Sequence, residues 1–251
     1  MGFDRPGFSA GGEAGSGRGR DMSIIDNYKA VRDRVAEAAV KAGRDPSSIT
    51  IVAVTKTHPA AVVKEALAAG ITDVGENRVQ EFLGKVDDIS TPCNWHLIGH
   101  LQTNKVNKAI GRFELIHSVD SFKLAERLDQ VGKREGVSTD ILVEVNTSEE
   151  ATKFGLGVDM TIELCEKISK LDNIRLKGLM TVGPWVDDIK VLKRSFRSLR
   201  ELGDDVSRAK IENVEMLHLS MGMTDDFEAA ISEGSTIVRL GRVIFGPRGG
   251  H

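Results

Sequence analysis

At 251 residues, with 40% hydrophobic and 28% charged side chains, the chain is long enough to bury a sizeable core in one globular unit. Its 34 basic and 37 acidic residues leave a net charge of -3, a near balance that speaks against nucleic-acid or anionic-membrane partners. Cys93 and Cys165 show no CxxC or Cys/His spacing, which argues against a disulfide framework or metal site, and no apolar run approaches the roughly eighteen residues of a membrane span.

In chain order, Met1 to Asp21 hold seven glycines and three arginines with almost nothing apolar, so residues 1–22 read as a flexible tail that cannot repay its ordering entropy. Gly15, Gly17 and Gly19 follow no strand and so make no nucleotide loop, and Met22 is an alternative start. From Ser23 the spacing turns helical, with Ile24, Ile25, Tyr28, Val31, Val35 and Ala39 on one face, until Gly43 and Asp45-Pro46-Ser47 end it. Strands are then expected at Thr50–Thr55, Thr72–Gly75, Trp95–Ile98, Leu115–Ser118, Ile141–Asn146, Leu176–Thr181, Met216–Leu219 and Ile237–Leu240. Helices are expected between them, at Ala60–Ala69, Val79–Asp87, Asn104–Ile110, Ser121–Glu135, Met160–Leu171, Asp188–Arg208 and Asp225–Glu233. Eight strands alternating with helices in about 200 residues predict an α/β fold, a (β/α)8 TIM barrel over residues 23–248 with an extra N-terminal helix. An open doubly wound sheet is the competing architecture.

In such a barrel the strand ends form one rim, and the first of them stops on Lys56, an amine rarely buried without a partner. The turns Ser220-Met221-Gly222-Met223-Thr224 and Arg239-Leu240-Gly241-Arg242 place glycines and hydroxyls where helices begin, leaving N–H groups to receive an anion. Asp225 and Asp226 would weaken such binding, and helix capping by Ser220 or Thr224 is the bland alternative. Taken alone, Lys56 reads as a solvated strand-end lysine. Across the barrel from a phosphate cup it suits either a cation that neutralises a substrate phosphate or a Schiff base with a phosphorylated carbonyl compound, and for the second pyridoxal 5'-phosphate has the right separation of aldehyde and phosphate. Val52, Val54 and Met180 would line the pocket, and Arg239 would face the ring nitrogen without giving it a full proton.

Several segments together then resemble the pyridoxal phosphate homeostasis proteins of the YggS/PROSC type: Ala53-Val54-Thr55-Lys56-Thr57-His58-Pro59, Val74-Gly75-Glu76-Asn77-Arg78, Trp95-His96-Leu97-Ile98-Gly99-His100, Lys153-Phe154-Gly155-Leu156, Leu219-Ser220-Met221-Gly222-Met223-Thr224 and Val238-Arg239-Leu240-Gly241. The resemblance covers roughly Ile24 to Gly246. It implies a barrel similar to the N-terminal domain of alanine racemase, with pyridoxal 5'-phosphate as a Schiff base on Lys56. Asn77 would lie beside the cofactor, Ser220, Met223, Thr224, Gly241 and Arg242 would surround its phosphate, and Arg239 would face its ring. Thr224 stands where the family often has serine and keeps the hydroxyl. The implied role is cytoplasmic vitamin B6 homeostasis and cofactor delivery by a monomer, with apo-enzymes as recipients, no catalytic residues, no metal, no nucleic acid and no membrane.

The residues support the absence of strong catalysis, since in the alanine racemases that the barrel resembles one of the two bases is a tyrosine from a second, C-terminal domain. Racemisation needs acid/base groups on both cofactor faces; the sole tyrosine is Tyr28 on the leading helix, and the chain ends at His251 soon after the eighth strand. A weak racemase, with His96, His100 or Lys153 as bases, is the alternative, and a Schiff-base aldolase on Lys177 a remoter one. Glu76 reads as a surface or structural carboxylate, and His117 and His218 as hydrogen-bonded core histidines.

Overall fold

Apolar strand runs separated by amphipathic stretches cannot pair as hairpins, so each strand must cross over and pair in parallel with the next. The computed structural model describes residues 23–148, 154–186 and 188–246; the tail, Met22 and Lys153 lie outside them. Its strands are β1 (Thr50–Val54), β2 (Asp73–Glu76), β3 (Asn94–Leu97), β4 (Leu115–Val119), β5 (Thr139–Asn146), the two-residue β6 (Leu156–Gly157), β7 (Ile174–Met180), β8 (Val214–Ser220) and β9 (Ile237–Leu240). They run in the order β4-β3-β2-β1-β9-β8-β7-β5, all parallel, and β4 pairs with β5. The sheet therefore closes into the expected (β/α)8 barrel, with β6 paired to the end of β5, and the open sheet is excluded.

Helix α1 (Ile24–Lys41) precedes the barrel, capped by the Ser23 hydroxyl, which accepts from the Asp26 N–H. Its core face differs from the expected one in that Ile25 is 54% exposed while Ala38 is buried. Then follow α2 (Ala60–Ala68), α3 (Val79–Leu83), α4 (Val106–Ala109), α5 (Phe122–Glu135), α6 (Thr161–Ile168), α7 (Ile189–Arg208), α8 (Phe227–Ser232) and α9 (Arg242–Phe245). The expected Val79–Asp87 helix stops at Gly84, and Val86–Asp88 forms a separate 3-10 turn, because glycine gives up more entropy in a helix than the residues before it.

Strand alternation divides the core in two. Ala53, Val74, Leu97, Ile116, Val143, Leu179 and Val238 face outward to the helices, where Phe82, Leu128, Phe196 and Phe227 pack. Val52, Leu115, Leu142, Met180 and Ile237 form a smaller cluster inside the barrel. Two residues on from Leu115, Leu142 and Ile237 stand His117, Glu144 and Arg239, so the interior also holds buried polar groups.

Glu76 belongs to the outer layer and is structural, with no exposed surface. Its Oε1 accepts from Lys85 Nζ and from Thr55 Oγ1, both at 2.6 Å, and Lys85 also donates to the Thr55 carbonyl at 2.9 Å. Burial pushes the Glu76 carboxyl above its usual range and these partners offset part of that rise. Lys85 thus pins the end of β1 to the end of β2, just before Lys56. Lys85→Ala, which strands that carboxylate, is expected to cost about 3–5 kcal/mol in urea unfolding, whereas the paired change Lys85→Met with Glu76→Leu recovers most of it.

Candidate functional site

The C-terminal rim collects the residues singled out from the sequence on one arc, β2, β1, β9, β8 and β7. Since β1 pairs with β9 in the register Val52 to Arg239 and Ala53 to Leu240, Lys56 and the Arg239–Arg242 turn stand on neighbouring strands. The expectation of a lysine across the barrel from the phosphate cup is thereby corrected: closure joins the first strand to the last.

Strand β1 ends at Val54, one residue earlier than expected, and half-buried Lys56 lies in the turn that follows. His58 N–H donates to the Thr55 carbonyl at 3.1 Å, and Thr57 N–H donates to Glu81 Oε2 at 2.8 Å. Thr57 takes φ 66, a left-handed conformation that costs a β-branched residue about 1–3 kcal/mol. The Glu81 bond and the Lys85 anchor hold this strained turn beside the amine. Val52, Val54 and Met180 are all buried beneath it.

Arg239 is 4% exposed inside the barrel, with Nη1 donating to Ser220 Oγ at 2.7 Å and Nη2 donating to the Thr181 carbonyl at 2.9 Å. Burial pulls its pKa down to about 10, while Glu144 and Asp226 act the other way as countercharges. Ser220 is fully buried and bonded to Arg239 and His117, and Asp226 stands at the N-cap of α8 without a side-chain bond to that helix. Capping by Ser220 is therefore ruled out.

Gly222 has φ +97, and a Cβ there would meet Ala230 Cβ at 2.7 Å. Only glycine fits, and it turns Met223, Thr224 and Asp225 toward the rim. Asp226 folds beneath this turn, its carboxylate accepting from Met223 N–H, and Asp225 is ion-paired with Arg242. The two acidic residues expected to weaken anion binding are thus both engaged, and the pair to Arg242 links the β8 and β9 turns. A Cβ on Gly241 would meet Val54 at an ordinary 3.5 Å, so protein packing does not demand glycine at this position. The N–H groups of Arg242 and Val243 open α9 and have no acceptor among the described residues. Asn77, half-buried, follows β2, and Met223 is 38% exposed at the rim. A buried guanidinium, an open glycine and free N–H donors on the lysine's side of the mouth fit a phosphorylated aromatic aldehyde.

Sequence reasoning passed over Glu144. Its signal was a charge inside the apolar run Ile-Leu-Val-Glu-Val, which a two-sided buried strand does not tolerate without cause. Glu144 is 6% exposed, and its pKa is pushed up to about 7 by burial and by Asp120, with Arg239 opposing. At the rim His100 stacks on Phe154, with centroids 4.6 Å apart, and lies 3.4 Å from Asp120. Lys177 is ion-paired with Glu215 at 2.7 Å, which removes the support for an aldolase lysine. His117 is a hydrogen-bonded core histidine as expected, whereas His218 is half-buried. No helix among the described residues is long and apolar enough to cross a membrane.

Residues 25–249 match the alanine racemase N-terminal domain family. Proteins named pyridoxal phosphate homeostasis protein from Aquifex aeolicus and Pseudomonas aeruginosa are 40% and 42% identical, over 90% of this chain and 99% and 96% of theirs. The solved structure of PipY from Synechococcus elongatus with PLP bound has a TM-score of 0.80 at 32% identity and covers 89% of this chain and 100% of that one. Alanine racemase from Clostridium difficile, at 15% identity, TM-score 0.71 and 57% of that chain, shares the fold.

Because the raised Glu144 pKa favours the protonated acid in the folded state, this group's contribution to stability falls as pH rises from about 4.5 to about 7. Glu144→Gln is expected to remove a decline of roughly 3 kcal/mol across that window, read by urea unfolding of the ligand-free protein at successive pH values.

Proposed function

The chain belongs to the family of pyridoxal phosphate homeostasis proteins, and from that premise we propose that it binds pyridoxal 5'-phosphate as a Schiff base on Lys56 and stores or delivers it, without strong turnover of its own. The observation that carries the reading is the juxtaposition, on β1 and β9, of Lys56 with the buried Arg239 guanidinium and the open Gly241 turn. When bound, the cofactor supplies an aldehyde that condenses with an amine and a pyridine ring that withdraws electrons.

Lys56 provides the amine, held by the strained turn. The N–H groups of Arg242 and Val243, with Thr224 and the Arg242 side chain, receive the phosphate, and Asn77 borders the ring. Arg239 donates to the ring nitrogen; with its pKa near 10 it keeps its proton near neutral pH, so electron withdrawal by the ring stays modest. Val52 and Met180 exclude water below.

Weak turnover agrees with where acid/base groups stand. Tyr28 lines a cavity with Thr50, Thr72 and Asp73 at the strand starts, the far end of the barrel from Lys56. His96 is committed inside, 3.1 Å from Asp73. Glu144, with a pKa of about 7, favours a second reading, a weak racemase.

Borohydride reduction followed by peptide mass spectrometry is expected to find the reduced cofactor on Lys56, and Lys56→Ala protein to lose both the adduct and the visible absorbance. An adduct on another lysine, or unchanged colour in Lys56→Ala, defeats the assignment. Solvent deuterium exchange at the α-carbon of several amino acids is expected to be absent or very slow; ready exchange, abolished in Glu144→Gln, decides for the racemase.

A further inference from the structure

We propose that Asp73, His96 and His117 are positioning residues for the cofactor site: with Ser220 they form a one-way hydrogen-bond chain through the barrel that fixes how Arg239 is presented to the ring. The proposal takes the identity of the ligand from the reading above; the direction of the chain is independent of it.

The chain has four links. Arg239 Nη1 donates to Ser220 Oγ at 2.7 Å, and the same hydroxyl lies 2.9 Å from His117 Nδ1. His117 Nε2 lies 3.0 Å from His96 Nδ1, and His96 Nε2 lies 3.1 Å from Asp73 Oδ1. One end is a guanidinium, which can only donate; the other is a carboxylate, which when ionised can only accept. A neutral imidazole carries one N–H. With both imidazoles neutral, a single assignment satisfies every link. His96 donates from Nε2 to Asp73, His117 donates from Nε2 to His96, and the Ser220 hydroxyl donates to His117 Nδ1. Ser220 is left to accept from Arg239.

The ionisation states agree with this. Burial is the largest influence on Asp73 and would raise its pKa, yet bonds from His96, Thr72 and Asn94 bring the carboxyl below its ordinary range. Burial, reinforced by His96, Arg239 and His218, holds His117 neutral far below the usual imidazole value. The charged and titratable groups around the two rings are Asp73 on β2, His218 on β8 and Arg239 on β9, with Glu144 on β5 beyond the guanidinium.

The consequence lies at Arg239. Its two Nη groups are fixed on Ser220 and on the Thr181 carbonyl, so the plane of the guanidinium, and the direction of its remaining N–H groups, depend on a hydroxyl whose own proton is committed elsewhere. If His117 no longer accepts, that hydroxyl rotates and the plane is released. Asp73, at the start of β2, borders the cavity of about 480 Å³ at the opposite face from Lys56. A substitution there reaches the cofactor through the chain and not by contact.

The test has two arms. Long-range 15N–1H spectra of histidine-labelled, cofactor-free protein at pH 8 are expected to show His96 and His117 both as neutral Nε2–H tautomers; an Nδ1–H tautomer at either ring overturns the proposal. His117→Phe keeps the ring volume and breaks two links. It is expected to bind pyridoxal 5'-phosphate about tenfold more weakly and to shift the pH midpoint of the bound cofactor's absorbance, with borohydride still fixing it to Lys56. His117→Gln, whose amide can accept from Ser220 and donate to His96, is expected to restore both, and Asp73→Ala to reproduce the shift from the far face. Unchanged affinity and pH profile in folded His117→Phe overturn the proposal. An adduct missing from Lys56 in the unsubstituted protein tells against the Lys56 reading alone, since the tautomers are read without cofactor.

Discussion

The interior of this barrel is governed by one buried cation. Taking a guanidinium out of water costs several kcal/mol even after relaxation, and Arg239 remains 4% exposed only because other groups are arranged around it. Ser220 and the Thr181 carbonyl accept its hydrogen bonds, and Glu144 and Asp226 stand as countercharges. Those four residues come from β8, the end of β7, β5 and the start of α8. A charge on β9 thus dictates the chemistry of side chains on much of the rest of the wall, and the usual layered filling of branched aliphatics shrinks to the cluster around Val52, Leu142 and Met180.

Barrel closure gives this cation its neighbour. Lys56 and Arg239 are separated by most of the sequence, yet β1 and β9 are adjacent because an eight-stranded parallel sheet with short crossovers has no other way to remove its two edges. The amine and the guanidinium then share one side of the mouth as like charges at different depths: Lys56 lies at the rim, half-buried, while Arg239 lies below it with its own acceptors.

Much of this was legible in the sequence because it rests on local pattern. Runs such as Ile51-Val52-Ala53-Val54 and Ile237-Val238-Arg239-Leu240 are strands by composition, and the turn glycines Gly222 and Gly241 mark where helices start. What escaped was set by three-dimensional neighbours. Which side of the barrel faced Lys56 depended on closure, which no single strand encodes. Glu144 was passed over because an acid within an apolar run is meaningful only once Arg239 is known to lie opposite. His117 and Ser220 were read separately, as a core histidine and an expected phosphate neighbour, but the bond between them joins residues 103 positions apart. Ile25 fitted the helical stripe and is nonetheless solvated, since periodicity says which face is apolar but not how far the partner surface extends.

Part of the strain and buried polarity of this fold lies around the site. Thr57 occupies a left-handed conformation that glycine would relieve, Glu76 has an Oε2 without a partner among the described residues, and burial pushes the Glu144 carboxyl up to about 7; each is a stability cost. Thr57 and Glu76 act on the Lys56 turn, the first through the Glu81 bond and the second through Lys85, while Glu144 acts on Arg239. A protein selected only for folding would have no reason to keep a tense turn and a buried cation on adjoining strands. Both persist because the rest of the barrel over-determines them, and the result is a mouth whose amine and guanidinium are set in place before any ligand arrives, with the ordering cost already met by folding.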